Sequence, residues 1–234
     1  GGLSSEMSEI YSLSKKYKFK IIEDASHALG GKYKKSPIGS CKFSDIAVFS
    51  FHPVKTITTG EGGAALTNNL EFFLKMKSLR EHGIERNRAK FKKKNNSLWY
   101  YEQQSLGFNY RMSDIHAVLG ISQLSKISRF IQKRNFVSLR YEKELKKLPI
   151  EFQKKNKDSL STKHLEIILV PSKIHKKLFE FLRKKKIFVN LHYIPLYRHP
   201  YFKKKINHNS FKNSEMYYSR AISIPCYFGI SKKE

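Results

Sequence analysis

Apolar residues recur along this chain at two spacings, which predict helices alternating with short strands. Met7, Ile10 and Leu13 lie about one helical turn apart and predict a first helix after Ser5. Short apolar runs predict strands at 19–23, 45–50, 63–67, 165–170 and 187–191, and longer periodic stretches predict helices at 70–81, 113–148 and 172–185. This alternation is typical of an α/β fold.

Residues 83–105 interrupt the alternation with a polar, basic and aromatic stretch, which predicts an irregular loop. The long helical pattern that follows it starts at Ser113. We therefore expect two domains, residues 1–112 and residues 113–234, with the long helix linking them.

Composition narrows the class of protein. The chain has 234 residues, of which 40% are hydrophobic, enough to bury a core. Its apolar runs fall well short of the roughly 18 residues of a membrane span, and no secretory signal is visible at Gly1. Two cysteines fit a reducing compartment, so we expect a cytoplasmic location. Because the first residue is not Met, we also expect a piece of a longer chain.

The strong positive charge of the chain suggests a second possible class of function. The chain carries 46 Lys and Arg against 19 Asp and Glu, a formal net charge of +27. A basic nucleic-acid-binding protein is therefore an alternative hypothesis. Against it, 36 of the basic residues are Lys and 10 are Arg, whereas Arg is the residue that reads phosphates and bases with a planar fork. The charge favours a solvated surface that attracts anionic ligands.

The residues that carry chemistry follow two predicted strands. Asp24 comes directly after the first strand, and Lys55 comes shortly after the second. In open α/β sheets, ligands bind beyond the carboxyl ends of strands, so an acid and an amine there can face one ligand. Pyridoxal phosphate requires this pair, a lysine for the Schiff base and a carboxylate for the pyridinium nitrogen. Ser50 could then hydrogen-bond the cofactor phosphate, and His27 could contact the 3-oxygen of the ring.

Spacing alone leaves other interpretations open. Asp24 can be an ordinary turn cap, Lys55 can be a surface amine, and Gly60–Gly63 can be only a hairpin turn. The histidines and cysteines lack the spacing of metal ligands, so we predict no metal site.

Three segments resemble the signature blocks of a known family. They are EDASHALG at 23–30, FSFHPVKTITTGEGG at 49–63 and LGFNYRMSD at 106–114. The chain is similar in these blocks to the DegT/DnrJ/StrS family of pyridoxal-phosphate-dependent nucleotide-sugar aminotransferases. Residues 99–103, 192–195 and 217–225 resemble the branch of that family that acts on UDP-linked 4-keto-6-deoxy sugars in pseudaminic acid biosynthesis.

The resemblance implies fold type I of the pyridoxal-phosphate-dependent transferases, the aspartate-aminotransferase fold. Residues 1–112 would be an incomplete large domain and residues 113–234 a small C-terminal α/β domain. The family has further chain before Gly1, which cradles the cofactor phosphate, and a final helix after Glu234, so the resemblance implies truncation at both ends. An inactive fragment of such an enzyme is therefore a further alternative.

The resemblance also implies residue roles and partners. Lys55 is implied as the catalytic Schiff-base lysine, with Asp24, His27 and Ser50 as cofactor contacts. Asn109 is implied to reach the cofactor phosphate of a neighbouring subunit, which makes the protein a homodimer with shared active sites. The substrates implied are a UDP-linked 4-keto-6-deoxy sugar and L-glutamate, with no metal, membrane or nucleic-acid partner. The implied substrate-binding residues are His192, Tyr193, Ile194 and Pro195.

Overall fold

A computed structural model describes residues 1–202 and 208–231, which form two compact units. The N-terminal unit consists of Ser5–Leu29 and Ser36–Lys126. The C-terminal unit runs from Ile127 onward and includes Gly1–Ser4 and Gly30–Lys35. The N-terminal unit ends at Lys126, and the C-terminal unit continues from Ile127. The domain boundary that we predict at Ser113 stays a prediction.

Six helices and eleven strands make up the described chain. In chain order they are α1 (Met7–Tyr17), β1 (Ile22–Asp24), β2 (Lys32–Tyr33), β3 (Ser36–Pro37), β4 (Ile46–Ser50), β5 (Gly63–Leu66), α2 (Leu70–Arg80), β6 (Ile84–Glu85), β7 (Glu102–Gln103), α3 (Asp114–Leu124), α4 (Ile127–Glu144), β8 (Glu151–Phe152), β9 (Ser159–Leu160), β10 (Glu166–Leu169), α5 (Ser172–Lys184), α6 (Lys212–Tyr218) and β11 (Ala221–Ile224). Short 3-10 turns occur at Arg88–Lys90, Leu196–Arg198, Pro200–Phe202 and His208–Phe211.

The N-terminal unit is built on a three-stranded sheet in the order β1-β4-β5. β1 runs parallel to β4, and β5 returns antiparallel on the other side of β4. Ala47 and Phe49 alternate along β4 with less buried residues, as expected for a strand whose one face packs on a core. Phe49 packs there with Ala25 and Ala28, the residues that follow β1. This packing holds the loop after β1 against the sheet.

The C-terminal unit has its own antiparallel sheet, in the order β11-β10-β8. β10 and β11 pair along four residues each. Ile168, Val170, Val189 and Ile222 form a fully buried cluster, against which Leu178 and other residues of α5 pack. The cluster explains why α5 is amphipathic, because its apolar face covers this sheet.

Most of the elements predicted from the sequence are confirmed within a few residues, including α1, β4, β5, α2, β10 and α5. The first strand was predicted at 19–23, and β1 instead begins at Ile22 and ends on Asp24. The sequence pattern did not reveal the two-residue strands or β11.

The prediction of one helix over 113–148 is wrong, because the chain forms α3 and α4 with a break at Ser125 and Lys126. The Ser125 hydroxyl donates to the Ser122 carbonyl oxygen at 2.8 Å, and the Lys126 amide donates to the Gln123 carbonyl at 3.0 Å. The Lys126 amide thus bonds three residues back instead of four, which ends the regular ladder of α3. Apolar periodicity does not report such local competition.

Two further predictions need correction. Residues 187–191 form no strand, because the segment makes a single bridge in which Asn190 and Ser223 exchange backbone hydrogen bonds. Residues 83–105 are not wholly irregular, since β6 pairs antiparallel with β7. Both pairings are too short to produce a strand pattern in the sequence.

Among the helices in residues 1–202 and 208–231, none combines the length and apolar character needed to cross a bilayer.

Replacing Ile222 by Ala tests the core of the C-terminal unit. The side chain is fully buried, so its loss should lower the free energy of unfolding by about 2–5 kcal/mol. Ile187→Ala, at a side chain that is 41% exposed, is the control and should cost less than about 1 kcal/mol. Denaturant unfolding of the complete protein measures both, and equal losses would contradict this assignment of the core.

Candidate active site

The candidate site lies where the parallel strands β1 and β4 end. Asp24 is the last residue of β1 and pairs with Val48. The Ala25 amide donates to the Val48 carbonyl oxygen at 2.9 Å, so the pairing continues past the end of β1. Ser50 ends β4. Because the two strands are parallel, their carboxyl ends lie at the same edge of the sheet.

Asp24 is an exposed carboxylate held by the turn that follows it. Its Oδ1 accepts hydrogen bonds from the backbone amide of Ser26 at 3.0 Å and from the Ser26 hydroxyl. These bonds lower the pKa of Asp24, and the charges of His27 and Lys55 lower it further. Asp24 is therefore ionised at neutral pH, and His27 and Lys55 lie close enough to act on its charge. The turn-cap interpretation also holds, since Ser26 completes an Asx turn.

Lys55 lies in a loop whose base is closed by backbone hydrogen bonds. The Phe51 amide donates to the Gly62 carbonyl at 2.8 Å, and the Thr59 amide donates to the Phe51 carbonyl at 3.0 Å. Within the loop, the Lys55 amide donates to the His52 carbonyl at 2.9 Å. Lys55 is half-buried rather than freely solvated. The loop therefore fixes the backbone of Lys55 beyond the end of β4.

Thr59 anchors the far side of the same loop. Its side chain is 1% exposed, and its Oγ1 donates to the Glu61 carbonyl at 2.6 Å. Gly62 lies against it with a φ of 153°, and a Cβ there would meet Thr59 and approach the Met112 methyl to 2.7 Å. The Gly60–Gly63 segment thus ends the long loop between β4 and β5 and packs against Thr59, so it is not a hairpin turn between the two strands. Only glycine fits at position 62.

His27 follows β1 in the same turn as Asp24, and Ser50 is the last residue of β4. His27 is half-buried three residues after Asp24, whose pKa it helps to lower. Ser50 pairs with Gly63 across the sheet, and its Oγ accepts a hydrogen bond from the His52 amide at 3.5 Å. A carboxylate, an amine, an imidazole and a hydroxyl are thus carried by the ends of β1 and β4 and by the loops that follow them.

Asn109 lies on a different segment of the N-terminal unit. It forms an isolated antiparallel bridge with Glu81, just after α2, and its side chain is exposed. The flanking residues fix this bridge, since the His82 amide donates to the Phe108 carbonyl at 2.9 Å. Asn109 is thus presented outward on an ordered backbone.

The residues predicted to contact substrate, His192, Tyr193, Ile194 and Pro195, belong to the C-terminal unit. His192 Nδ1 lies 2.7 Å from the Ser223 hydroxyl on β11, and Tyr217 donates to the His192 carbonyl oxygen at 3.0 Å. Tyr193 is 62% exposed. The segment is therefore anchored through His192 and presents its next side chain to solvent.

The sequence matches the profile of the DegT/DnrJ/EryC1/StrS aminotransferase family over residues 1–234. The chain belongs to this family. It is 41% identical over its whole length to the UDP-4-amino-4,6-dideoxy-N-acetyl-beta-L-altrosamine transaminase of Campylobacter jejuni, of which it covers 60%. It is 35% identical, over 98% of its length, to the transaminase of the same name from Helicobacter pylori, of which it also covers 60%.

Solved structures agree with this family membership. Helicobacter pylori PseC, an aminotransferase involved in the biosynthesis of pseudaminic acid, matches with a TM-score of 0.86 and 34% identity, over 98% of this chain and 60% of PseC. The sugar aminotransferase Spr1654 of Streptococcus pneumoniae matches with a TM-score of 0.88 and 25% identity, over 99% of this chain and 62% of Spr1654. The fold is fold type I of the pyridoxal-phosphate-dependent transferases, as predicted. The chain spans about 60% of the length of the curated relatives it matches.

Pyridoxal phosphate is the cofactor of aminotransferases of the DegT/DnrJ/EryC1/StrS family, and Spr1654 has been solved in its pyridoxal-phosphate form. The chemistry of the donor set fits this cofactor, since an ionised carboxylate and a loop that carries a lysine follow the carboxyl ends of neighbouring parallel strands. Asp24 would hold the ring nitrogen and Lys55 the ring aldehyde carbon. No group of three or more His, Cys, Asp or Glu side chains in the described part of the chain is arranged to hold a metal ion.

Two supporting residues escaped the sequence analysis. Ser26 holds Asp24, and Ser223 holds His192. The Asp-x-Ser spacing at 24–26 is a known Asx-turn pattern and was a usable signal. Ser223 is 31 residues from His192, and only the pairing of Asn190 with Ser223 brings the two side chains together.

Ser26→Ala should raise the pKa of Asp24 toward its ordinary value, because it removes the hydroxyl bond and keeps the amide bond. A carboxyl group with a lowered folded-state pKa stabilises the fold above its unfolded pKa and loses that contribution as the pH falls. The contribution of Asp24 to the free energy of unfolding should therefore fall less on acidification in Ser26→Ala than in the unmodified protein. Carbon NMR titration of the Asp24 carboxyl measures its pKa directly. Ser40→Ala, at an exposed serine, is the control, and an unchanged Asp24 pKa in Ser26→Ala would contradict the assignment.

Proposed function

We propose that the complete protein transfers the amino group of L-glutamate to C4 of UDP-2-acetamido-2,6-dideoxy-beta-L-arabino-hex-4-ulose. The product would be UDP-4-amino-4,6-dideoxy-N-acetyl-beta-L-altrosamine, an intermediate for pseudaminic acid. Support comes from the relatives in Campylobacter jejuni and Helicobacter pylori, whose names state this product. The proposal includes a cytoplasmic location, where nucleotide sugars are made.

The observation that carries the proposal is that Asp24 and the loop that holds Lys55 lie at the carboxyl ends of the parallel strands β1 and β4. Both follow parallel strands, and the charge of Lys55 contributes to the lowered pKa of Asp24. An amine and a carboxylate in this relation can engage one ring from two sides. A structural ion pair on the surface would not need the closed loop that Thr59 and Gly62 build around Lys55.

Pyridoxal phosphate, when bound, supplies an electron sink for the carbanion formed at the amino-bearing carbon. Asp24 would keep the ring nitrogen protonated through Oδ2, since the bonds from Ser26 go to Oδ1. Lys55 would accept the proton from the substrate carbon and return it at the cofactor carbon, as general base and then general acid. His27 would hold the ring 3-oxygen, and Ser50 the cofactor phosphate.

The nucleotide sugar, the second substrate, would bind to residues of the C-terminal unit. We assign His192, Tyr193, Ile194 and Pro195 to binding of the nucleotide sugar. Tyr193 and Ile194 are 62% and 45% exposed, so both present apolar area to a ligand. His192 would set the position of this segment through Ser223 and Tyr217.

We further propose a homodimer in which Asn109 contacts the cofactor phosphate bound by its partner. Asn109 is exposed on an ordered bridge, as such a role requires. The nearby helix α3 has no buried residue, and it exposes Ile115, Val118 and Ile121 by 82%, 65% and 71%. Exposed apolar side chains on this scale are typical of a surface that another chain covers.

Lys55→Ala in the complete protein should lower turnover by about a thousandfold or more, because it removes the group that moves the proton. Reduction with borohydride in the presence of pyridoxal phosphate should attach the pyridoxyl group to Lys55, as peptide mapping will show. Lys90→Ala, at an exposed lysine in the same unit, is the control and should leave both readouts unchanged. Label on another lysine, or activity retained without Lys55, would refute the assignment.

A panel of UDP-, GDP- and dTDP-linked 4-keto-6-deoxy sugars tests the proposed substrate. We expect the UDP-linked 2-acetamido sugar to have the highest kcat/KM, by about tenfold or more. Chromatography of the aminated products with glutamate as donor measures each rate. A preference for a GDP- or dTDP-linked sugar would keep the aminotransferase assignment and overturn the proposed substrate.

A further inference from the structure

A concave basic surface lies in the N-terminal unit away from the candidate active site. It is a cavity of about 370 Å³, which we call the lysine cavity. Its walls come from α1, from the segment between α1 and β1, and from the loop before β4. The lining includes Lys15, Lys18, Lys20 and Lys42, together with the aromatic side chains Tyr11 and Phe19. Its volume falls in the range of about 300–1,000 Å³ that is typical of small-molecule sites.

Acidic groups do not balance these four ammonium groups. The carboxylate that lines the cavity is Asp45, and it is already engaged by the Ile21 amide at 2.8 Å and by Lys20 at 3.1 Å. Glu23 lies nearby, and burial raises its pKa while the Ser44 hydroxyl donates to it. Burial also raises the pKa of the Cys41 thiol, which therefore adds no negative charge. The cavity keeps a net positive charge at neutral pH.

All four lysines are exposed, and three of them make contacts with neighbouring side chains. The Lys15 ammonium lies 4.6 Å from the centre of the Tyr11 ring, and that of Lys42 lies 5.3 Å from the centre of the Phe43 ring. The Lys20 ammonium pairs with the Asp45 carboxylate at 3.1 Å. Cation–π contacts and this ion pair reduce the entropy that a ligand must overcome to order these side chains.

We propose that the lysine cavity binds the diphosphate group of a small anionic ligand. Several ammonium groups around one concavity match a compact, multiply charged phosphate better than a single carboxylate. Lys acts as a point-charge binder of phosphate, so the cavity needs no Arg fork. The same diphosphate chemistry occurs in free pyrophosphate and in nucleoside diphosphates.

This site differs from the one that holds the cofactor. Lys20 precedes β1 and Asp45 precedes β4, so the cavity lies at the amino ends of the two parallel strands. Asp24 and the Lys55 loop lie beyond the carboxyl ends of the same strands. The inference therefore does not depend on the proposed reaction.

Calorimetric titration of the complete, cofactor-loaded protein with sodium pyrophosphate tests the proposal. The cavity variant is Lys15→Gln with Lys42→Gln. The matched control is Lys75→Gln with Lys77→Gln, which removes the same charge from exposed positions on α2. We expect Kd to rise about tenfold or more in the cavity variant and less than about twofold in the control. Circular dichroism and cofactor absorbance confirm that each variant is folded and loaded.

Three results would overturn the proposal. They are an absence of binding, equal weakening in the cavity and control variants, and loss of binding in Lys55→Ala while the cavity variant still binds. The last would place pyrophosphate in the cofactor site. Uridine diphosphate is the second ligand tested. Binding that is tighter than that of pyrophosphate, and that is lost in the cavity variant, would support the proposal with a nucleotide as the source of the diphosphate.

Discussion

The parallel pairing of β1 with β4 is the constraint on which the candidate site depends. It places Asp24 and Ser50 at one edge of the sheet, although they are 26 positions apart in the chain. The Lys55 loop leaves the same edge and returns through β5. If the two strands slipped by one residue, the Asp24 side chain would point to the other face of the sheet. Register therefore decides whether the carboxylate and the amine can act on one ligand.

Asp45 contributes to that register from the other end of the strands. Its backbone amide donates to the Ile21 carbonyl at 2.9 Å, and its carboxylate accepts from the Ile21 amide. The Thr67 hydroxyl donates to the Asp45 carbonyl oxygen at 2.7 Å, which ties in the end of β5. One residue thus aligns the start of β1 and β4 with the end of β5. The lysine cavity and the alignment of the candidate site share this residue.

Sequence reasoning works best for features that depend on residues close together in the chain. The Asx turn after Asp24 is local, because it depends on Ser26 two positions later, and its spacing is visible in the sequence. It failed where two distant segments compete or cooperate. The break between α3 and α4 and the single bridge at Asn190 each depend on a few specific hydrogen bonds. Apolar periodicity averages over such bonds and does not register them.

The sequence by itself determined the α/β alternation and the family, and it predicted the acid–amine pair, because these depend on residue type and short spacing. The tertiary structure decided the length and register of each strand, the support of His192 by Ser223 and the concavity that gathers four lysines from separate segments. Those features require residues far apart in the chain to meet at fixed distances. Only the folded backbone specifies such distances, since side-chain chemistry acts over a few ångströms.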